Sequence, residues 1–359
     1  MKLELLIDSE NFWGRFREDI AAARNAIYIQ TLSFEGDSVG RRLSGLLNES
    51  HAVDKRVIVD YYTRHILSDK LLYSPRNLFD SELHNEKKET ARMIDELREY
   101  GTKVKFVNPF GPLLIHIPAR NHKKIIIIDD EIAYIGGINF SEHNFAWHDL
   151  MLRIRNKDVV DFLKNDFMMS WDRKHFGGRG QFDNIEIFSF DGMENKKSFE
   201  PIMRLIDNAH KSIYVQSPYL CFPFSDKLAD ASGRGIDVTI VSPAQNNKKT
   251  LRKYIEWESA RSGFDLRMYQ NRMTHMKAML IDDEYLIVGS CNFDCFSYYF
   301  EQEIIAVISD ADIIGEFKDK VIEIDNFNSI PYDGKANNFS GRLLRWEMQA
   351  VNAIAKIFN

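Results

Sequence analysis

Two stretches of this 359-residue chain carry the same reactive side chains at the same spacing. The first, His122 to Asn139, reads HKKIIIIDDEIAYIGGIN; the second, His275 to Asn292, reads HMKAMLIDDEYLIVGSCN. With one offset, His122, Lys124, Asp129, Gly136 and Asn139 answer to His275, Lys277, Asp282, Gly289 and Asn292. Neither packing nor composition asks for those polar identities in duplicate, so the chain reads as two versions of one unit. An imidazole can serve as nucleophile or as general acid and base, while ammonium and amide groups hold anionic oxygens. Paired histidines, lysines and asparagines brought together would form a cationic, donor-rich pocket. That pocket suits a phosphate diester, whose charge lies on its non-bridging oxygens. Asn139 and Asn292, with Ser290 beside the latter, are the candidate phosphate contacts.

The elements that must position these groups are short. The apolar runs Ile125–Ile128 and Ala278–Ile281 read as buried strands. Alternation along a strand puts His122 and Lys124 on one face, and likewise His275 and Lys277. Asp129-Asp130-Glu131 suits a tight turn, with Ile132 to Ile135 returning as the next strand. Gly136-Gly137 and Gly289-Ser290 permit close backbone approach near each asparagine. Asp129 and Asp282, on the turns, are placed to brace the site rather than to react.

The flanking segments repeat too. Residues 2–7 read as a strand, and Phe12 to Ala23 as a helix with Ser9 as a plausible cap. The strand Asn25 to Gln30 matches Lys211 to Gln216. A helix over Asp37 to Leu47 and a strand over Arg56 to Tyr61 match Phe224 to Ala231 and Val238 to Val241. Such strand–helix–strand units predict an α/β fold with mixed sheets covered by helices on both faces. Thr63 to Glu99 is a longer, charged excursion than its counterpart. Val107 to Pro118 is an apolar, proline-rich loop running into His122, read either as packing on its own body or as a lipid-contacting lip. Gly177 to Gln181 is the most linker-like stretch. The expected division is therefore 1–179, 180–326 and a tail, 327–359, in which Gly341 to Phe358 has amphipathic helical spacing. The Lys248 to Lys253 cluster reads as a solvated helix face that could also attract anionic headgroups.

Both motifs resemble the HxKxxxxD signature of the phospholipase D superfamily, including the trailing G-G/S-x-N, and the resemblance covers most of the chain. It implies two pseudo-symmetric α-β-α sandwich halves with the active site at their interface, a phosphohistidine intermediate, and neither metal nor other cofactor. One histidine would attack phosphorus while the other protonates the departing alkoxide and then deprotonates the incoming alcohol. The near-symmetric motifs leave open which attacks; the resemblance favours His122 as nucleophile and His275 as acid and base. It also implies that a carboxylate after each motif bonds the outward ring nitrogen, fixing the tautomer and favouring the imidazolium. Asp149 and Glu303 are those carboxylates, with His148 and Glu301 as competitors. Asp149 lies 27 places after His122 and Glu303 lies 28 after His275, so a bulge or altered strand geometry is expected in one copy.

Within the superfamily, Asn108-Pro109, Asn121-His122-Lys123-Lys124 and Trp147-His148-Asp149-Leu150 look like bacterial cardiolipin synthases, with His148 where many members have arginine. The expected reaction moves a phosphatidyl group to an alcohol, the glycerol of another phosphatidylglycerol being favoured. A hydrolytic phospholipase D would use the same residues, and a superfamily nuclease stands further off. A formal charge of −6, from 47 basic and 53 acidic residues, argues against a dedicated nucleic-acid binder. No apolar run reaches transmembrane length, no signal peptide opens the chain, and the few cysteines favour a reducing compartment. The expected location is cytoplasmic and peripheral at the membrane surface, with phospholipid as partner and no nucleic acid.

Overall fold

The computed structural model describes residues 1–111 and 116–334, together with Leu343, Arg345, Trp346, Gln349 and Ala350. The chain divides into two units, Met1–Phe176 and Gly177–Asn359.

The strands of the first unit are β1 (Lys2–Ile7), β2 (Ala26–Thr31), β3 (Asp54–Asp60), β4 (Ile66–Leu67), β5 (Lys70–Leu71), β6 (Lys103–Val107), β7 (Ile125–Ile128), β8 (Ile132–Gly136) and β9 (Leu150–Arg155). Among the described residues, β4 and β5 pair only with each other, and the rest form one seven-stranded sheet in the order β1-β9-β8-β7-β2-β3-β6. β2, β3 and β6 run parallel, whereas the other pairings are antiparallel. The sheet is therefore mixed, as the repeated units predicted.

Helices Asp8–Ala22, Ser38–Glu49 and Ser81–Glu99 send Phe12, Phe16, Leu43, Leu47, Met93 and Leu97 into a core shared with Ile27, Ile29, Val57, Ile126 and Ile128. Tyr28 points the other way and stacks on Phe167 of helix Lys157–Trp171, ring centroids 5.0 Å apart. This alternation along β2 is what sandwiches the sheet. The first helix begins earlier than its apolar spacing suggested, and Ser9 is not its cap. Ser9 is buried inside the first turn, where its Oγ donates to the Phe145 carbonyl at 2.6 Å.

In the second unit the strands are β10 (Gly178–Phe182), β11 (Ile185–Ser189), β12 (Ser212–Gln216), β13 (Asp237–Pro243), β14 (Asp265–Tyr269), β15 (Ala278–Ile281), β16 (Tyr285–Gly289), β17 (Ile304–Ile308) and β18 (Ser329–Pro331). Among the described residues they form a nine-stranded sheet, β10-β11-β17-β16-β15-β12-β13-β14-β18. Without its outer strands β10 and β18, the order and direction match the first sheet strand for strand. Helices Glu200–Asn208, Phe224–Gly233 and Lys249–Ser262 cover one face through Ile202, Ile206, Leu228 and Tyr254. On the other, Phe317 of helix Ala311–Phe317 meets Tyr214 of β12 edge-on.

The glycine-rich stretch 177–181, read as linker, is instead most of edge strand β10. It pairs antiparallel with β11 across a two-residue Asp183-Asn184 turn, with Asp183 at φ 45. Asp and Asn tolerate the left-handed region such turns need, and glycines on an edge strand break no core packing. Of the tail, Ser329–Pro331 adds β18 to β14, and Arg345 bonds Asp226 at 2.9 Å and Glu258 at 3.1 Å. The remainder of the expected 341–358 helix lies outside the described residues. No helix among the described residues is long and apolar enough to cross a membrane. Cys221, Cys291 and Cys295 are buried free thiols.

Candidate functional site

Each motif strand is pinned at one end so that its other end can present the histidine. At the far end of β7 the Asp129 carboxylate accepts from the backbone N–H of Arg24 (2.7 Å), Asn25 (2.7 Å) and Ala26 (2.9 Å). Asp282 does the same after β15, accepting from His210, Lys211 (2.8 Å) and Ser212 (3.0 Å). Both aspartates sit at positive φ, 53 and 57, which Asp tolerates better than most residues. At about 3.3 Å per residue, an extended strand separates each aspartate from its lysine by more than about 15 Å. Asp129 and Asp282, expected on the turns to brace rather than to react, are held there by these backbone bonds.

Burial works against the Asp282 charge, but the three backbone donors outweigh it and hold the carboxyl below the usual aspartate range. Its stabilisation is therefore complete above the ordinary aspartate pKa and is lost as pH falls through the depressed value. Asp282→Ala should cost about 3 kcal/mol of unfolding free energy, measured in urea at pH 7, while folded protein keeps its turnover. An unchanged midpoint with turnover lost would make Asp282 a reactant instead.

At the opposite end, register brings the motif together. β2 pairs Gln30 with Ile125, β7 pairs Ile125 with Ile135, and β12 and β15 pair Gln216 with Ala278. Ile126 and Ile128 of β7 turn to the helical core, whereas Lys123, just before the strand, bonds Asp166 of helix Lys157–Trp171. The Lys124 ammonium donates to the His122 carbonyl at 2.8 Å. Lys277 likewise bonds the His275 carbonyl, and its ammonium lies 2.7 Å from His275 Nδ1. Tyr219 meets the His275 ring edge-on. All four side chains are buried.

Several positioning groups escaped sequence reasoning. Gln30 Nε2 donates to Asn121 Oδ1 at 2.8 Å, and Gln216 Nε2 to Thr274 Oγ1 at 2.8 Å. Each glutamine thus holds the residue immediately before a motif histidine. The signal was present, since both matched strands end in glutamine. Asp60, fully buried, accepts from Asn121 N at 2.6 Å and from Arg120 Nη1 at 2.8 Å. Arg120 also donates to the carbonyls of Asn108, His116 and Ile117 and covers the Phe110 ring. The described flanks of the Val107–Pro118 loop are thereby clamped to their own unit; its 112–115 portion lies outside the described residues.

Asn139 sits in a polar network. Its Oδ1 accepts from Thr31 Oγ1 at 3.2 Å and Ser33 N at 3.4 Å, and its Nδ2 donates to Asn144 at 3.3 Å. Asn144 continues to Ser141 and His143, and Ser33 Oγ donates to Glu35 at 2.6 Å. Burial pushes the Glu35 carboxyl up to about 9, Ser33 opposes, and nearby Glu86 raises it further. Burial also lowers His143, so the two face each other uncharged at neutral pH, 3.7 Å apart. A raised acid favours the protonated fold. Its stabilisation is full below the ordinary glutamate pKa and is lost as pH rises toward about 9. Glu35→Gln should therefore flatten the fall in melting temperature between pH 5 and 9; an identical pH profile would refute a protonated Glu35. In the second copy, Asn292 Oδ1 is buried with no hydrogen-bond partner among the described residues. A buried amide oxygen left this way calls for an explanation, and a bound ligand is one.

The carboxylates after each motif occupy equivalent positions. Gly136 is opposite Met151 and Gly289 opposite Ile305, so Asp149 and Glu303 each fall two residues before the partner position. Their unequal spacing comes from neither bulge nor strand geometry. The intervening helix is Glu142–Phe145 in the first unit and the one-residue-longer Cys295–Tyr299 in the second. Glu303 accepts from Ser297 Oγ at 2.7 Å and from Ser290 Oγ. Ser290, expected to touch phosphate, thus donates to this carboxylate. A Cβ on Gly137 would lie 2.3 Å from Asp149 Oδ1, so the first copy needs glycine there. Of the competitors, His148 Nδ1 pairs with Asp8 at 2.7 Å, and Glu301 accepts from Ser297 Oγ at 3.2 Å.

The family model described as cardiolipin synthase, PLD-like domain, matches residues 16–171 and 202–324. The chain belongs to this family. Among its relatives, cardiolipin synthase 1 of Staphylococcus epidermidis is 27% identical over 349 residues, covering 88% of this chain and 66% of its own length. The major cardiolipin synthase of Bacillus subtilis is 25% identical, covering 92% of this chain and 71% of its own. The chain thus spans about two thirds of the length of these relatives. The phosphatidylserine synthase of Haemophilus influenzae shares the fold at a TM-score of 0.69 and 14% identity, covering 99% of this chain and 94% of its own. In this chain each histidine is buttressed in the same way: a glutamine behind it, a lysine against its carbonyl, and an aspartate clamp at the strand's far end.

Proposed function

We propose that this chain is a phospholipid transphosphatidylase, moving a phosphatidyl group from one phospholipid to an alcohol, with the glycerol headgroup of a second phosphatidylglycerol as acceptor. The observation that carries the reading is that both copies of the His-x-Lys pair are complete, buried and buttressed alike, in a chain whose relatives are cardiolipin synthases.

In the proposed reaction His122 attacks phosphorus, forming an N–P bond as the bond to the departing alkoxide breaks, and His275 donates the proton that alkoxide needs. The acceptor hydroxyl then gives its proton to His275 and attacks phosphorus, breaking the N–P bond and restoring His122. Lys124, Lys277, Asn139 and Asn292 hold the non-bridging oxygens as charge builds on them. Asp149 and Glu303 fix the tautomers and stabilise the positive charge each ring gains, His122 on bonding phosphorus and His275 on taking up a proton. No step calls on a metal, and the partner is a phospholipid at a membrane surface.

The deciding experiment is incubation of the full chain with phosphatidylglycerol vesicles, with products read by mass. Cardiolipin and free glycerol are expected, and at least nine-tenths of the rate should survive an excess of chelator, on the order of 1 mM against trace divalent ions. Phosphatidic acid as the sole product would make the protein a hydrolase, and loss of rate restored by a divalent ion would sink the metal-free scheme.

A further inference from the structure

The excursion between β3 and β6 of the first unit encloses a cavity of about 340 Å³ that no motif residue lines. Its walls include Tyr61, Arg64, His65, Tyr73, Lys87 and Phe106. The Arg64 guanidinium is held over Phe106 at 4.2 Å and over Tyr61 at 5.3 Å. The Lys87 ammonium donates to the Tyr73 hydroxyl at 2.7 Å and lies 5.1 Å from that ring's centre. Of the cations on the wall, Arg98 is offset by Asp95 at 3.0 Å, whereas among the described residues no carboxylate is in ion-pair range of Arg64 or Lys87.

We propose that this cavity is a second phosphate-ester site, taking the anionic headgroup of a phospholipid apart from the paired histidines. Two cations held by aromatic rings rather than by carboxylates are pre-oriented and keep their charge for an incoming anion. The rings supply apolar wall for the glycerol and first methylenes, and the volume falls within the range of small-ligand sites. Burial, together with Lys87 and Arg64, lowers the His65 pKa, so that ring offers a hydrogen bond rather than further charge. Phosphate chemistry follows from the wall alone; the choice of a lipid rests on the function proposed above. Occupancy would be felt next door, because Phe110 of the pre-motif loop stacks on His65 at 4.8 Å and Asp60, preceding Tyr61, holds Asn121 beside His122.

Calorimetry on the full chain tests this. Dihexanoyl phosphatidylglycerol below its micelle concentration is titrated into a His122→Ala background, which stops turnover. Two binding steps are expected, one weakened roughly tenfold for each of Arg64→Gln and Lys87→Gln. Ala91→Phe, which fills the cavity from an exposed helical position and removes no charge, should weaken the same step. Inorganic phosphate forms a parallel arm. Loss confined to the lipid assigns the site to a headgroup, and equal loss in both arms assigns it to phosphate esters at large. Unchanged binding in both arms, for the charge variants and for Ala91→Phe, overturns it. Products absent from the vesicle assay would sink the transfer reading while leaving this binding step in place, so the two failures are distinguishable.

Discussion

His122→Ala is expected to abolish phosphatidyl transfer, lowering turnover by about 10⁴-fold or more. No other group in the proposed scheme forms the covalent bond to phosphorus. His275→Ala should be as damaging with phospholipid, because the departing alkoxide is a poor leaving group without its proton. The two variants should separate with an activated aryl phosphodiester, whose phenolate leaves unprotonated. His275→Ala should then release one equivalent of phenolate in a burst and stall as phosphohistidine, whereas His122→Ala should show no burst. A burst from His122→Ala and none from His275→Ala would exchange their roles. Substantial lipid turnover by either would defeat the paired scheme altogether. Both histidines are buried at strand ends whose hydrogen-bonded frame lies elsewhere, so folding should survive.

Asp166→Ala is expected to cost about 3–5 kcal/mol of unfolding free energy. Lys123 and Asp166 are 1% and 0% exposed, with Nζ 2.8 and 2.9 Å from the two carboxylate oxygens and 3.2 Å from the Phe176 carbonyl. Removing the acid takes both carboxylate oxygens away from a buried ammonium. The second unit shows the apolar solution: at the equivalent position stands Met276, fully buried. The double variant Lys123→Met with Asp166→Leu should therefore recover most of the loss, since replacing a buried ion pair by well-packed apolar groups is often neutral. Denaturant unfolding measures both. A single-variant cost below about 1 kcal/mol would show that the pair is hydrated, and a double variant as unstable as the single would deny the exchange.

Lys123 also illustrates how far sequence reasoning reached. Alternation set Lys124 beside His122 and Lys123 on the opposite face, and Lys124 bonds the His122 carbonyl while Lys123 reaches Asp166. Nothing local, however, announces that the counter-charge is Asp166, on a helix 43 residues later. The same holds for Asp60, whose partners are Arg120 and Asn121, and for Asn139, whose partners Thr31 and Ser33 come from a distant part of the chain. Asp129 and Asp282 were recognisable as motif members and as turn residues. Only the register of β7 on β2, and of β15 on β12, revealed the backbone N–H groups they clamp. The unequal spacing of Asp149 and Glu303 suggested a bulge because a strand was assumed throughout. A short helix in that segment takes up the extra residue instead.

The sequence by itself determined the duplication, the identity and spacing of the reactive groups, the buried strands that carry them and the mixed α/β class. These depend on periodicity and on neighbours a few residues apart, which a linear pattern encodes directly. The tertiary structure alone decided which residues hold those groups still: the glutamine behind each histidine, the arginine that clamps the pre-motif loop, the glycine that clears Asp149 and the serines that bond Glu303. Those choices follow from which buried donor meets which buried acceptor once the sheet has closed, and a buried polar group must be satisfied wherever along the chain its partner happens to lie.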